Sequence, residues 1–576
     1  MRRKFVLAAV GAALALTAVV AATAAGATTK PNPGLATLAK INHIVVIYEE
    51  NHSFDNLYGG WEGVNGLSKA VNAPKQVNQS GTAYSCLLQL DVNLTAPAPL
   101  SNSCTDSTVA TAFTSHFVNG IFTIDSYIPS TATTCPAPGG FASNGFLNGT
   151  ALAGGCTRDI VHRYYQEQYQ IDNGKMDRYV TGSDAAGLTM GVYNTATLPI
   201  YAYLHSSNAP KYAIDDNFFQ GAFGGSFLNH QWLIAAAAPL WTNAVNDGGA
   251  NDLHSVVDGN GMPNNYPLYA SPLGTNVKDQ QLTASCNPGP GRSPTPSNVT
   301  CGDYAVNTTQ PWYQPYSPGT ADARRLPPLT SPNIGDEMTA AKVSWAWYSG
   351  GWSNANGDVN GPGWTNGSTP GKCTDPNVLS TATYPNCADA VFQFHHQPFN
   401  YYANMAPGTL NRADHLQDEA AFKSAVAGST KSCGLRQVSF IKPLGEENEH
   451  PGYASERAGS DALVSLLSSI EGSACAKDTM VVVTYDEFGG QWDHVAPPGT
   501  VGGVPGAHDK WGPGTRIPAL IVSPLLPAPF VVDHVEHDTT SILTTIEKRF
   551  NLKPLGTRDA GVASLSTAFY AKAPAT

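Results

Sequence analysis

Short runs rich in Val, Ile, Tyr and Phe recur along the chain, each bounded by polar or turn-forming residues. Ile41–Tyr48, Lys211–Ile214, Lys342–Tyr348, Arg436–Ile441, Thr479–Tyr485 and Ile517–Ser523 read as strands. Between several of them lie stretches with helical spacing: Arg158–Gln170, Leu416–Val426, Ser460–Ile470 and Thr539–Phe550. The last places Ile542, Leu543 and Ile546 on one buried face. Strands that alternate with helices predict an α/β protein. Its architecture is a three-layer α/β/α sandwich, with a mostly parallel central sheet covered on both faces.

Two stretches break this rhythm. Near 76–155 and 241–333 the chain is rich in Asn, Thr, Pro and Gly and shows no period. They read as long loop insertions in one catalytic domain spanning 28–576, and they are expected to roof its site. The ten cysteines read as staples for such loops. Pairing neighbours gives 86–104, 135–156, 286–301, 373–387 and 433–475 as one connectivity among many. None has the C-x-x-C spacing of a zinc cluster or a thioredoxin-type redox site.

The first 27 residues have a different character. Arg2-Arg3-Lys4 precedes an apolar run from Phe5 to Val20, and Ala25-Gly26-Ala27 fits a cleavage site. This is a signal peptide, of Sec or twin-arginine type, and it predicts a secreted or periplasmic protein. No later run is apolar and long enough for stable membrane insertion. The net charge is −12, and no Lys/Arg stripe appears. A nucleic-acid partner, which needs a basic face, is therefore excluded.

The chemistry concentrates at two strand ends more than four hundred residues apart. Glu49-Glu50-Asn51-His52-Ser53-Phe54-Asp55 follows the first strand. Asp486-Glu487-Phe488-Gly489-Gly490-Gln491-Trp492-Asp493-His494 follows Thr479–Tyr485. In an open α/β sheet, ligands bind at the C-terminal ends of parallel strands. Carboxylates and a carboxamide there are good ligands for a hard cation. Adjacent buried carboxylates repel unless a cation or proton intervenes. Gly489-Gly490 allows a tight turn that returns Asp493-His494 toward the same spot.

Between these ends lies Gly224-Gly225-Ser226, followed by an apolar, helix-like run. Ser226 reads either as a helix cap or as a nucleophile with backbone N–H groups beside it. It is not the G-x-S-x-G elbow, since Phe227-Leu228 replaces the second glycine. His162, His395-His396, His450 and His537 lie near loop–strand junctions, where imidazoles can donate to phosphate oxygens or protonate a leaving group.

These motifs resemble the bacterial phosphoesterase family that contains phosphatidylcholine-type phospholipases C and AcpA-like acid phosphatases. The opening hallmark is Glu50, Asn51, Ser53, Phe54 and Asp55. The closing one is Asp486, Glu487, Gly489, Gly490, Asp493, His494, Val495, Pro497 and Pro498. Gly174–Asp177, Leu198–Tyr201, Arg516–Pro518, Ser523-Pro524 and His537–Ser541 also match. The resemblance spans roughly residues 41 to 552 and implies an alkaline-phosphatase-like fold. It implies one divalent metal ion, as Ca, Mg, Mn, Zn or Fe, held by Glu50, Asn51, Ser226, Asp486 and Glu487. It also implies nucleophilic Ser226, with His162, His450 and His396 on the phosphate or leaving group; His395 is the competitor for that last place. Asp493 or His494 would assist departure. Leu228-Asn229-His230 departs from the family's Pro-Asn-Arg, and Gln397 replaces its Asn.

The expectation is a metal-dependent hydrolase of small phosphate esters, acid-phosphatase-like, working through a phosphoseryl intermediate. The alternative is a phospholipase C that cleaves phospholipid head groups. A dead-site binding protein conflicts with the intact acids and hydroxyl. A sulfatase conflicts with the lack of Cys/Ser-x-Pro-x-Arg around Ser226.

Overall fold

Eight strands form the central sheet of the computed structural model. It describes residues 32–88, 101–109, 112–128, 157, 159–183, 187–241, 255–257, 300–367, 369–453, 455–499 and 508–574. The strands are β1 (His43–Glu49), β2 (Tyr212–Asp215), β3 (Trp345–Ser349), β4 (Leu416–Asp418), β5 (Val438–Lys442), β6 (Thr479–Tyr485), β7 (Ala519–Val522) and β8 (Phe530–Asp533). Their spatial order is β4-β3-β5-β1-β6-β7-β2-β8. Every pairing is parallel except the two that β7 makes, with β6 and β2. The mostly parallel sheet expected from the alternating elements is present.

Helices cover both faces. They include α1 (Tyr164–Ile171), α2 (Ser226–Ala235), α3 (Ile334–Ala340), α4 (Glu419–Gly428), α5 (Glu456–Glu471) and α6 (Thr540–Phe550). Alternation along β3 separates the two layers. Trp347 meets His230 of α2, with ring centroids 5.9 Å apart, whereas the next residue, Tyr348, meets Phe422 of α4 at 5.4 Å. Helix α2 packs on α3 and α6; α5 packs on α4. The strands are buried on both faces, which explains their unbroken apolar runs.

Two strands depart from the expected pattern. Leu416–Asp418 lies inside the predicted Leu416–Val426 helix, yet it is edge strand β4. Asp418 then turns extended and caps α4 by accepting from the Ala420 N–H at 2.9 Å. Strand β8 carries no strand prediction, being four residues beside a proline-rich turn. The predicted Arg158–Gln170 helix begins only at Tyr164.

Disulfides 86–104, 373–387 and 433–475 are formed as the neighbour pairing expects. Cys135, Cys156 and Cys286, and with them the 135–156 and 286–301 pairs, lie outside the described residues, as do the expected leader 1–27 and much of both expected insertions. Among the described residues no helix is long and apolar enough to cross a membrane. The 433–475 bridge closes the longest of the three loops and ties the entry of β5 to that of β6. Replacing both cysteines by serine is expected to lower unfolding free energy by about 2–4 kcal/mol. Urea melts would read the difference, and an unchanged midpoint would contradict it.

Candidate functional site

The register levels the C-terminal ends of β1 and β6. Glu49 pairs with Tyr485, and the Asp486 N–H donates to the Glu49 carbonyl at 3.1 Å. The two acidic segments are therefore neighbours at the sheet's centre, as their positions after strands predict. Asn51 takes a left-handed conformation (φ 63°), which asparagine tolerates better than most residues. Its N–H donates to Asp486 Oδ1 at 3.4 Å. Gly489 (φ 63°) lies so close to the Asn51 carbonyl that any Cβ there would meet it at 2.2 Å. Only glycine lets the two segments approach this closely.

His450 orients the Asn51 carboxamide. Its Nδ1–H donates to the Pro451 carbonyl at 2.8 Å, so Nε2 is left to accept from Asn51 Nδ2 at 3.0 Å. The amide oxygen Oδ1 is thereby turned inward. Burial lowers the His450 pKa well below the usual histidine value, in keeping with this neutral acceptor role.

Ser226 is the first residue of α2. Its cap position is Gly225, and no side chain caps the helix. Ser226 is therefore not the helix cap: its Oγ–H donates to Glu50 Oε2 at 3.1 Å. The loop leading into Ser226 is held by Glu167 of α1, a buried carboxylate. Glu167 accepts from the Gly224 N–H at 2.6 Å, Gln220 Nε2 at 2.9 Å, the Thr515 N–H at 2.7 Å and the Thr515 hydroxyl at 2.8 Å.

Glu50 is the hub. Besides Ser226 it contacts the buried Lys442 ammonium, and its Oε1 is 3.0 Å from His396 Nε2. Lys442 also donates to the Tyr48 carbonyl at 2.9 Å. Burial, with the charge of Asp486, pushes Glu50 up to about 8 against the pull of Lys442. Burial also raises Asp486, and it raises Glu487 well above the usual range with help from Asp486. Glu487 Oε1 faces His162 Nε2 at 3.5 Å. The His162 ring also lies against Gly225, where a Cβ would be 3.0 Å from its Cδ2.

His396 stacks on His230, with centroids 4.8 Å apart and planes 2° from parallel. His230 Nδ1 donates to the Ser226 carbonyl at 2.8 Å. Burial lowers both imidazoles well below the usual value and takes His395 down to about 3. Of the adjacent pair His395-His396, it is His396 that contacts Glu50.

Asp493 and His494 lie elsewhere. The Gly489-Gly490 turn forms as expected, but it delivers them to Asp55 and Arg516. Arg516 Nε donates to Asp493 at 3.1 Å, and its NH2 group donates to Asp55 at 3.1 Å. His494 Nδ1 is 2.6 Å from Asp55, and the Asp55 N–H donates to Asp493 at 2.9 Å. Among the described contacts neither residue touches Ser226, Glu50 or Asp486. Burial opposes charge on His494, yet the hydrogen bond to Asp55 and the charges of Asp493 and Asp55 together outweigh it and raise the pKa. The ion pair thus contributes fully below about pH 6.5 and is lost as pH rises through the elevated folded value. The melting-temperature advantage of wild type over His494→Gln is expected to be full near pH 6 and to shrink by about pH 9. A gap constant with pH would contradict the pairing.

Sequence reasoning did not single out Lys442, His230 and Glu167 as site residues. Lys442 is one residue beyond the predicted strand Arg436–Ile441. His230 shows only as a departure from the family pattern. Glu167 is hidden in a helical stretch.

The donor set fits a metal ion. Asn51 Oδ1, Asp486 Oδ2 and Glu487 Oε1 are buried without a hydrogen-bond partner. With Glu50 they place three carboxylates and a carboxamide against a single ammonium, a deficit of positive charge that suits a hard cation. Glu50, His230 and His396 form an overlapping group whose ligand atoms lie within 4.8 Å of one another. Glu50 Oε1 and His230 Nε2 of that group are likewise buried without a hydrogen-bond partner, so Glu50 is common to both sets.

Known proteins resemble this chain in part. Phospholipase C B of Mycobacterium tuberculosis is 35% identical over 170 residues, covering 26% of this chain and 32% of the relative. Non-specific phospholipase C6 of Arabidopsis thaliana is 30% identical over 171 residues, covering 26% and 32%. These alignments thus span about a third of each relative's length. A solved protein in the alkaline phosphatase superfamily from Vibrio parahaemolyticus is 13% identical, covering 40% of this chain and 50% of that one, with a TM-score of 0.21, a likeness too slight to build on. The Phosphoesterase family profile matches residues 41–553. That match starts just ahead of β1 and ends beyond α6, so both acidic strand ends and the serine between them fall inside it, and the chain belongs to the Phosphoesterase family.

Proposed function

We propose that this protein hydrolyses phosphoester bonds with Ser226 as nucleophile, and that its substrates are phosphodiesters of the phospholipase C type. One observation carries the reading: Ser226 Oγ opens an uncapped ten-residue helix and points at Glu50, on a floor of buried oxygens that lack partners. Relatives called phospholipases C favour the lipid diester over the small monoester that motif resemblance puts first.

The residues divide the work. Glu50 Oε2 fixes the direction of the Oγ–H, so that a lone pair faces a phosphoryl group seated at the α2 N-terminus. Backbone N–H groups of that first turn receive the phosphoryl oxygens. Attack forms the Oγ–P bond and breaks the P–O bond to the leaving alcohol, while the Oγ proton passes to Glu50 Oε2 and the rest of the phosphate ester stays on Ser226. His162, the most exposed imidazole of the group, donates the proton that the alcohol takes up. Water then cleaves the phosphoseryl group. His450 keeps the Asn51 amide oxygen inward, while Lys442 and His396 hold Glu50. A divalent ion bound by Glu50, Asn51, Asp486 and Glu487 would supply Lewis-acid charge and make the Ser226 hydroxyl more acidic. Asp493 and His494, joined to Asp55 and Arg516, hold the turn after β6. The disulfides among the described residues support export to an oxidising compartment.

A second reading, a phosphomonoesterase, is favoured by the nucleophile itself, since serine at this position resembles the acid-phosphatase members. Rates of the metal-loaded protein on an aryl phosphate monoester, its diester and phosphatidylcholine vesicles separate the two. The diester and the vesicles are expected to be cleaved faster. A dominant monoester rate would replace the lipid reading, and inertness toward all three would end the phosphoester reading. Chelation is expected to abolish whichever rate is observed.

A further inference from the structure

A second group of ligand-type side chains lies beneath the start of α6, and the site described above does not use it. Asp215 ends β2 and Asp533 ends β8. They are register partners on adjacent parallel strands, so their carboxylates stand side by side. His537 follows four residues after Asp533. The ligand atoms of all three lie within 4.8 Å of one another, and all three residues are buried.

Each carboxylate has one oxygen committed and one free. Asp215 Oδ1 accepts from the Asn217 N–H at 3.1 Å, and Asp533 Oδ1 accepts from the Val535 N–H at 3.1 Å. Both Oδ2 atoms are buried with no hydrogen-bond partner, although Asp215 is 0% exposed and Asp533 is 3% exposed. Both face His537 Nε2, at 3.6 and 3.7 Å. These spacings are too long for N–H···O bonds, which run about 2.7–3.2 Å. They suit a shared ion better. Tetrahedral coordination with bonds of about 2.1 Å puts neighbouring donors about 3.4 Å apart.

The imidazole is arranged as a ligand would be. Its Nδ1 lies 3.1 Å from the Ala563 carbonyl and 3.2 Å from Ser541 Oγ. Donation from Nδ1–H to that carbonyl, the outer-shell arrangement common to metal-bound histidine, leaves Nε2 an acceptor, whose partner here is the Thr567 hydroxyl, 2.9 Å away, that an ion would displace.

We propose that Asp215, Asp533 and His537 form a structural site for a divalent d-block cation such as zinc. The mixed nitrogen–carboxylate set matches that class. The ion clips edge strand β8 to β2. Just beyond the group, Phe218–Phe219 pairs with His537–Asp538, and the Gly221 N–H donates to Thr539 Oγ1 at 2.9 Å.

The test keeps this site apart from the catalytic one. The Asp486→Asn protein is dialysed against zinc, then against metal-free buffer, and its metal is counted by mass spectrometry. It is expected to retain one zinc per chain and to melt a few degrees higher than after chelation. Adding His537→Gln is expected to remove both the ion and the zinc-dependent shift. His537→Gln alone is expected to keep its phosphoester turnover and to lose one ion relative to wild type. If the Asp486→Asn protein holds no zinc, the trio is an imidazolium between two carboxylates and the proposal falls. It falls equally if zinc persists in the Asp486→Asn/His537→Gln protein.

Discussion

Ser226→Ala is expected to lower phosphoester turnover by about 10⁴-fold or more, since removal of a covalent nucleophile cannot be made good by its neighbours. The hydroxyl donates to Glu50 at 3.1 Å and also lies beside the Asp486 carboxylate. It is not the cap of α2, because Gly225 occupies that position. Loss of the hydroxyl therefore costs the fold little, about 1–2 kcal/mol for one buried acceptor left unmade. Metal content should persist, since the orphaned oxygens of Asn51, Asp486 and Glu487 are untouched. The decisive measurement pairs steady-state rates with mass spectrometry of protein quenched during turnover. Wild type turning over phosphatidylcholine is expected to carry a phosphocholine ester on Ser226, or plain phosphoserine on a monoester, and the alanine variant neither. A variant that turns over at a rate close to wild type would remove Ser226 from the chemistry and leave its helix terminus as a binding feature only.

What the sequence makes legible depends on the kind of signal. Strands buried on both faces announce themselves as continuous apolar runs, and the six expected strands are all in the sheet. Strand β4 is concealed because Leu416–Asp418 runs directly into a helix with the same apolar spacing. The acids were legible because they follow strands, and strand ends in a parallel sheet share one edge. Roles that depend on distant partners were not. His450 turns the Asn51 amide across 399 positions of sequence, and no local pattern encodes that contact. Gly489-Gly490 predicts a turn correctly, but a turn fixes a change of direction and not a destination. Asp493 and His494 accordingly join Arg516 instead of Ser226.

The least legible residue, Glu167, is expected to matter most for stability. Its helix reads as an ordinary amphipathic stretch, yet the carboxylate faces inward and gathers donors from two segments. Glu167→Ala would orphan the Gly224 and Thr515 N–H groups and open a void beneath the loop. Gln220 and the Thr515 hydroxyl fare better: Gln220 Nε2 retains the Ala222 carbonyl at 2.7 Å, and Thr515 Oγ1 keeps the Tyr179 hydroxyl at 3.1 Å. Two buried donors at about 1–3 kcal/mol each, with the cavity, give a loss of about 4–6 kcal/mol. Activity should fall as well, because Gly224 (φ 93°) lies two residues before the nucleophile and packs against the Tyr164 backbone, where a Cβ would meet its nitrogen at 2.7 Å. A loosened loop would let Oγ drift from Glu50, and such misplacement lowers kcat more than it changes KM. Glu167→Gln separates the two effects. It fills the same volume but turns an NH2 group toward donors, so it should recover part of the packing and little of the loop's order. Urea melts and kcat for both variants read the outcome. If Glu167→Ala proved as stable and as active as wild type, Ser226 would owe its position to the helix alone.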